Sequence, residues 1–109
     1  MTWVSIGSII ANSQDWQLSQ PFEGNFIRVV SEVTSPNFTT SNKRGLIAIN
    51  YGLEDFLSIK VFYSTPKSQL FLFPNLDISK TKYLAVRDIS NRINNNQWEI
   101  SCFVWDLII

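Results

Sequence analysis

The side chains of this chain that could do chemistry are mainly carboxylates, because the sequence has nine acidic residues and no histidine. A pair of opposed carboxylates can hydrolyse a glycosidic bond, one acting as acid and the other as nucleophile or base. All but the last of the available acids lie near predicted turns or on a polar strand face, where solvated carboxylates are usual. We therefore expect no enzyme activity from the eight of these nine acids taken as candidates, which are Asp15, Glu23, Glu54, Asp55, Asp77, Asp88, Glu99 and Asp106.

One short row of oxygen-bearing residues has the spacing of a calcium-binding loop. Asn75, Asp77 and Ser79 match the first ligand positions of such a loop. Lys80 stands where the loop needs a glycine, and Val86 stands where it needs the closing glutamate. We expect no calcium site and no cofactor.

The sequence lacks the side chains that nucleophilic and zinc-dependent enzymes usually use. Without histidine the commonest general base and metal ligand is missing, and one cysteine cannot form a thiolate cluster. Cys102 has no partner for an internal disulfide, and its apolar surroundings indicate a buried, unreactive thiol. The pattern G-x-S-x-G of serine hydrolases does not occur in the sequence.

The charge balance argues against nucleic acid as a partner. Nine basic and nine acidic residues give a formal net charge of zero, and charged residues make up only 17% of the chain. A neutral protein has no long-range attraction to phosphate backbones. Its few Lys and Arg residues are isolated rather than clustered. A weakly charged surface also associates readily, which favours a component of an assembly.

The elements that must position these residues are short strands. Apolar and polar residues alternate in many short runs, the pattern of antiparallel sheets with one buried face. In the first run we expect Val4, Ile6 and Ile10 to point inward, and in the third Ile27, Val29, Ser31 and Val33 share one face. The predicted strands are 2–10, 16–19, 24–33, 46–50, 57–64, 69–73, 82–88 and 97–107.

These strands predict an all-β fold, an antiparallel, jelly-roll-like β-sandwich of about eight strands. No segment has a helical period, and neither a repeat nor a linker divides the chain, so residues 1–109 are expected to form a single domain. An eight-stranded closed barrel remains an alternative, because strand count does not separate the two architectures. No apolar run of about 18 residues is present. With no leader sequence, we expect neither a signal peptide nor a membrane span.

The two ends of the chain are unusually apolar and are candidates for an interface. The last predicted strand carries large apolar residues on both faces, although a sandwich strand needs them on one face only. A central strand covered by a loop is an alternative of equal weight. The polar loop 34–44 is a second candidate contact region. The predicted interface residues are Trp3, Phe38, Phe103, Trp105, Leu107, Ile108 and Ile109.

Aromatic residues on a small β-domain can also stack against sugars. Rings exposed next to Asn, Asp or Gln side chains would suit a carbohydrate-binding module. The candidates are Trp16, Tyr51, Tyr63 and Trp105. A single aromatic residue on a strand belongs more often to the core than to a binding platform.

Several segments resemble the small β-sandwich accessory domains of phage virions and tail-like particles, particularly from cyanobacterial viruses. The resemblance rests on Trp3-Val4-Ser5-Ile6-Gly7, Gln14-Asp15-Trp16, Pro21-Phe22-Glu23-Gly24-Asn25, Phe26-Ile27-Arg28, Tyr83-Leu84-Ala85-Val86-Arg87 and Gln97-Trp98-Glu99-Ile100. It implies a non-enzymatic structural part such as a decoration, baseplate or fibre component, and it transfers no catalytic residue.

The sequence therefore predicts a structural or interaction module. Its expected partners are protein subunits, either copies of itself or a larger complex, with no nucleic acid and no membrane insertion. The expected location is a virion or a cytoplasmic assembly. The alternative is a small carbohydrate-binding, lectin-like module that binds a glycan.

Overall fold

A computed structural model describes residues 2–11, 13–33, 44–63, 68–89 and 98–105, and it gives only the backbone for 32–33 and 98–105. These residues form strands and connections, with no helix among them. The strands are β1 Trp3–Ala11, β2 Gln17–Leu18, β3 Ile27–Val33, β4 Arg44–Asn50, β5 Phe56–Tyr63, β6 Gln69–Phe73, β7 Tyr83–Asp88 and β8 Trp98–Trp105.

The strands pair into two antiparallel sheets of four strands each. The first sheet has the order β1-β8-β3-β6, and the second has the order β2-β7-β4-β5. Every pairing between these strands is antiparallel, as the alternating sequence pattern predicts. The Cα radius of gyration of 13.8 Å is close to the ~13 Å typical of a compact domain of about 100 residues.

One hydrophobic cluster joins the two sheets. The first sheet contributes residues from β1, β3 and β6, and the second contributes residues from β4, β5 and β7. The predicted face of β3 is confirmed for Ile27, Val29 and Ser31, which are all fully buried. The buried members of the cluster are Ile9, Ala11, Phe22, Ile27, Val29, Ile47, Ile49, Phe62, Phe73, Leu84 and Val86.

The predicted inward face of β1 is wrong for two of its three residues. Val4 and Ile10 are 44% and 37% exposed, whereas Ile9 and Ala11 are buried. The β1–β8 pairing is irregular between Ser5 and Gly7, where β1 has one extra residue, Ile6. Such a β-bulge changes which alternate residues face the core beyond it, which accounts for the exposed Ile10. Ile6 itself packs against the core as predicted.

A second irregularity lies in β5. Between Ile47 and Ile49 on β4, β5 has one extra residue, and Ser58 in this segment has a φ of 58°. Beyond it, Phe62 points into the core opposite Gly45, where its ring occupies the space that a Cβ atom would need. Ile59, Val61 and Tyr63 alternate with Phe62 and are exposed. The apolar row of this strand therefore faces outward.

Candidate functional site

Three connections meet at one end of the molecule, and two of them line a cleft. They are the segments β2–β3, β4–β5 and β6–β7, which antiparallel pairing brings to the same end of the two sheets. The cleft has a volume of about 260 Å³. We call it the two-loop cleft, because its lining comes mainly from the β4–β5 and β6–β7 connections. Its lining residues are Tyr51, Asp55, Leu57, Asn75, Asp77 and Lys80.

A buried asparagine fixes the first wall of the two-loop cleft. Asn50, only 2% exposed, donates from Nδ2 to the carbonyls of Leu53 at 3.1 Å and Asp55 at 3.4 Å. Its Oδ1 accepts a hydrogen bond from the Gly52 amide at 3.0 Å. The amide of Tyr51 donates to the Asp55 carbonyl at 3.0 Å and closes the turn. The turn is therefore held in one conformation, with the Asp55 side chain exposed.

A buried lysine fixes the second wall. Lys82 is fully buried, and its Nζ donates to the carbonyls of Asp77 and Lys80, each at 2.6 Å, and of Glu23 at 3.1 Å. Three carbonyls match the three donors of an ammonium group. Burial lowers the pKa of Lys82, and the nearby charges of Asp77 and Glu23 act in the opposite direction. The side chain therefore ties the β6–β7 connection to the β2–β3 segment.

Asp77 links the two walls. Its amide donates to the Tyr51 hydroxyl at 3.2 Å, which joins the β6–β7 connection to the β4–β5 turn. Its Oδ1 accepts from the Ser79 hydroxyl at 2.6 Å and from the Ser79 amide at 2.9 Å. These two bonds, together with the charges of Lys80 and Lys82, lower the pKa of Asp77 although slight desolvation raises it. Asp77 is therefore ionised near neutral pH and acts only as an acceptor.

Lys80 supplies the cation of the two-loop cleft. Its Nζ lies 3.9 Å from Asp77 Oδ2 and 5.7 Å from the centre of the Tyr51 ring. The side chains of Lys80 and Asp77 are 62% and 43% exposed. An ion pair this exposed contributes little to stability. Both groups are therefore available to a ligand.

The same loop contains a spacing that could be mistaken for a catalytic pair. Ser79 and Lys82 fit the pattern S-x-x-K, in which lysine activates a serine nucleophile. Here the Ser79 hydroxyl donates to Asp77, and the Lys82 ammonium donates to three backbone carbonyls. The two side chains are thus bound to other partners, and the geometry is that of a braced loop.

The predicted ring platforms have different surroundings. Tyr51 lines the two-loop cleft, whereas Tyr63 is 57% exposed on β5. Trp16 is half-buried, with its ring stacked on Phe56 at 4.6 Å and the Arg87 guanidinium 5.5 Å from its centre. Trp105 lies on β8, of which the structure describes the backbone. Among these, Tyr51 is the ring that is next to Asn and Asp side chains in a cleft.

The structure brings together only part of the predicted interface. Trp3 on β1 pairs with Trp105 on β8, and Phe103 lies between Ser5 and Arg28 in the same sheet. Trp3 is half-buried, with Phe26 edge-on at 5.0 Å and the Arg28 guanidinium 4.9 Å from the ring centre. Phe38 of the predicted contact loop and the tail residues Leu107, Ile108 and Ile109 lie outside the described residues.

A different set of apolar residues is exposed on the end strands of the two sheets. β5 and β6 are the end strands of the two sheets, and the Gln69 side chain joins them by accepting from the Tyr63 amide and donating to the Tyr63 carbonyl. Their outward-facing apolar residues are between 39% and 60% exposed. We call this set of residues the edge strip, and its members are Ile59, Val61, Tyr63, Leu70 and Leu72.

Two features are absent from the described part of the chain. Within the described ranges, no group of three or more His, Cys, Asp or Glu side chains is close enough to hold a metal ion. The same part of the chain contains no helix of the length and apolar character that membrane crossing requires.

Comparison with models of known protein families, with curated proteins and with solved structures finds no match for this chain.

Proposed function

We propose that this protein is a non-enzymatic structural module, a jelly-roll sandwich that associates with copies of itself as part of a larger assembly. The strand orders β1-β8-β3-β6 and β2-β7-β4-β5 support the jelly-roll assignment, because two interleaved Greek keys generate this alternation between sheets. The hydrophobic cluster shared by both sheets supports a sandwich. The resemblance of several segments to accessory domains of phage virions and tail-like particles favours such a particle as the assembly.

The edge strip is the observation that carries this proposal. Five large apolar side chains are exposed on the two end strands of a small domain, and exposed apolar surface can mark interaction sites. The one cation on β5, Lys60, does not share their face, because its Nζ lies 5.3 Å from the centre of the Phe73 ring. A neutral apolar surface has no like-charge repulsion against a second copy of itself.

The proposed contact between copies of the chain is more consistent with burial of side chains than with the pairing of an added strand. The extra residue in β5 and the positive φ of Ser58 distort the free edge of this strand. Bulges and inward-pointing lysines are features that protect end strands from pairing with another chain. Burial of the edge strip side chains is therefore the proposed source of affinity, through removal of apolar area from water.

The test is the solution molar mass of the purified protein over a range of concentrations. We expect the wild type to associate as concentration rises, and the double variant Ile59→Lys/Leu70→Lys to stay monomeric, because each lysine places a charge in the buried contact. Leu53→Lys is the matched control, since Leu53 is 97% exposed on the β4–β5 turn and lies outside the edge strip.

A wild type that stays monomeric at every concentration would overturn the proposal. Equal association of the wild type and the double variant would also overturn it, since the edge strip would then be irrelevant. Circular dichroism of both variants verifies that the substitutions leave the fold intact, which is expected because all three positions are exposed.

A further inference from the structure

We propose that the two-loop cleft binds one ring of a neutral saccharide. This activity goes beyond the proposed assembly role and uses a different surface: the cleft is at the loop end, whereas the edge strip follows the side formed by β5 and β6.

The lining residues have the chemistry that a sugar ring requires. The Asp55 and Asp77 carboxylates can accept hydrogen bonds from ligand hydroxyls, and charge-assisted bonds of this type are stronger than neutral ones. The Lys80 ammonium and the Asn75 amide can donate to ligand oxygens. The Tyr51 ring and the Leu57 side chain give the apolar wall that the C–H face of a sugar needs.

The charges in the two-loop cleft favour a neutral ligand. Two carboxylates and one ammonium line it, so a phosphate or another anion would meet an excess of negative charge. A metal cation would meet the Lys80 ammonium, which lies 3.9 Å from the Asp77 carboxylate. A polyhydroxylated neutral molecule satisfies both kinds of group, because each hydroxyl donates and accepts.

Both walls are held in place before any ligand arrives. Asn50 makes three hydrogen bonds within the β4–β5 turn, and Lys82 makes three with the backbone behind the other wall. The hydrogen bond from the Asp77 amide to the Tyr51 hydroxyl joins the walls to each other. A site whose backbone is fixed in this way loses little entropy on binding.

The size of the cleft limits the ligand to one sugar ring. Its volume of about 260 Å³ lies just below the ~300 Å³ at which pockets for drug-sized ligands begin. A single exposed ring site of this type binds weakly, so we expect dissociation constants in the millimolar range.

The experiment is an NMR titration of the isotope-labelled full chain with glucose, galactose, mannose and N-acetylglucosamine. We expect at least one of these sugars to shift the amide signals of Gly52, Asp55, Asp77 and Ser79 in a saturable manner. Inorganic phosphate and Ca²⁺ are titrated in parallel, and neither is expected to shift these signals.

Asp55→Ala and its neighbour Glu54→Ala form the matched pair of variants. Both acids are exposed on the same turn, but only Asp55 lines the two-loop cleft. We expect Asp55→Ala to weaken binding about tenfold, because it removes a charged acceptor, and Glu54→Ala to leave binding unchanged. Lys80→Ala gives a second variant at an exposed position, with weakened binding expected as well.

Four results would overturn this proposal: no shift with any of the four sugars, shifts confined to residues outside the cleft, equal affinity in Asp55→Ala and wild type, or saturable binding of phosphate or Ca²⁺ at the cleft instead of sugar. None of these results depends on self-association. The edge strip variants are therefore tested separately, and either proposal can fail alone.

Discussion

At the scale of single residues, Lys82 is the strongest departure from what its chemistry predicts. Lysine is almost never fully buried, yet this side chain is completely enclosed. Three backbone carbonyls compensate for the loss of water around its ammonium group. Lys82 therefore has the role of a structural brace for the loop end of the molecule.

Replacing this lysine by an apolar residue of similar length should destabilise the fold. We expect Lys82→Met to lower the free energy of unfolding by about 2–4 kcal/mol, because it leaves three carbonyls without their charged donor. Denaturant unfolding followed by fluorescence gives the value. Lys80→Met is the control, since the exposed lysine of the same loop should change stability by less than about 0.5 kcal/mol. Equal losses in the two variants would contradict the bracing role.

Asp77 gives a prediction about pH. Hydrogen bonds from Ser79 hold the pKa of Asp77 below its ordinary value of 3.8. A lowered pKa in the folded state stabilises the fold above the unfolded value, and this contribution is lost as the pH falls through the folded-state pKa. We expect Ser79→Ala to raise the pKa of Asp77 toward 3.8, because the largest cause of the lowering is removed.

The measurement for this prediction is an NMR titration of the Asp77 carboxyl carbon in wild type and variant. Ser13→Ala serves as the comparison, because the Ser13 hydroxyl accepts from the Asp15 amide in a different turn. That variant should leave the Asp77 titration unchanged. An Asp77 pKa that is the same in Ser79→Ala and wild type would show that the Ser79 hydroxyl has no part in lowering it.

At the scale of elements, β1 and β5 each contain one extra residue that interrupts the pairing with the neighbouring strand. Both runs alternate in sequence without a visible break, and in β1 the residues that face the core beyond the extra one are Ile9 and Ala11. In β1 the bulge contains Gly7, whose φ of 112° is a conformation that other residues rarely adopt. This glycine is the one local signal in the sequence that indicates a bulge.

Gly7→Ala tests the importance of the β1 bulge. We expect it to lower the free energy of unfolding by about 1–3 kcal/mol through backbone strain, because no heavy atom of the described side chains lies within 4 Å of the added Cβ. Thermal and denaturant unfolding give the loss. Ser8→Ala, at the exposed next position, should change stability by less than about 0.5 kcal/mol. A Gly7→Ala protein as stable as Ser8→Ala would mean that the positive φ costs nothing.

At the scale of the whole molecule, the order of strands places the last strand inside the first sheet. β8 lies between β1 and β3, so the first sheet is complete only when the last strand has joined it. The pairing of Trp3 with Trp105 brings together residues near opposite ends of the 109-residue chain. β8 is therefore a central strand of its sheet, and an interface on one of its faces stays a prediction.

The sequence predicted features that depend on local residue spacing. It did not predict features that depend on contacts between distant segments. Alternation predicted the strand character of Gln69–Phe73 and the shared face of Ile27, Val29 and Ser31, because period-2 patterning is a local property. Tyr51 is a predicted sugar platform, and Asn75 and Asp77 fall at the first positions of a calcium-loop spacing from which we expect no site. Their meeting in one cleft could not be predicted, since they come from separate connections.

By itself, the sequence determined an all-β chain of antiparallel strands with no imidazole and a single thiol, since these follow from residue type and short-range spacing. The tertiary structure decided that Lys82 is buried, that Ile59 and Val61 face outward, and that the two-loop cleft exists. These features depend on which strands lie side by side and on where a single extra residue interrupts the pairing. Both are set by contacts between segments far apart in the chain.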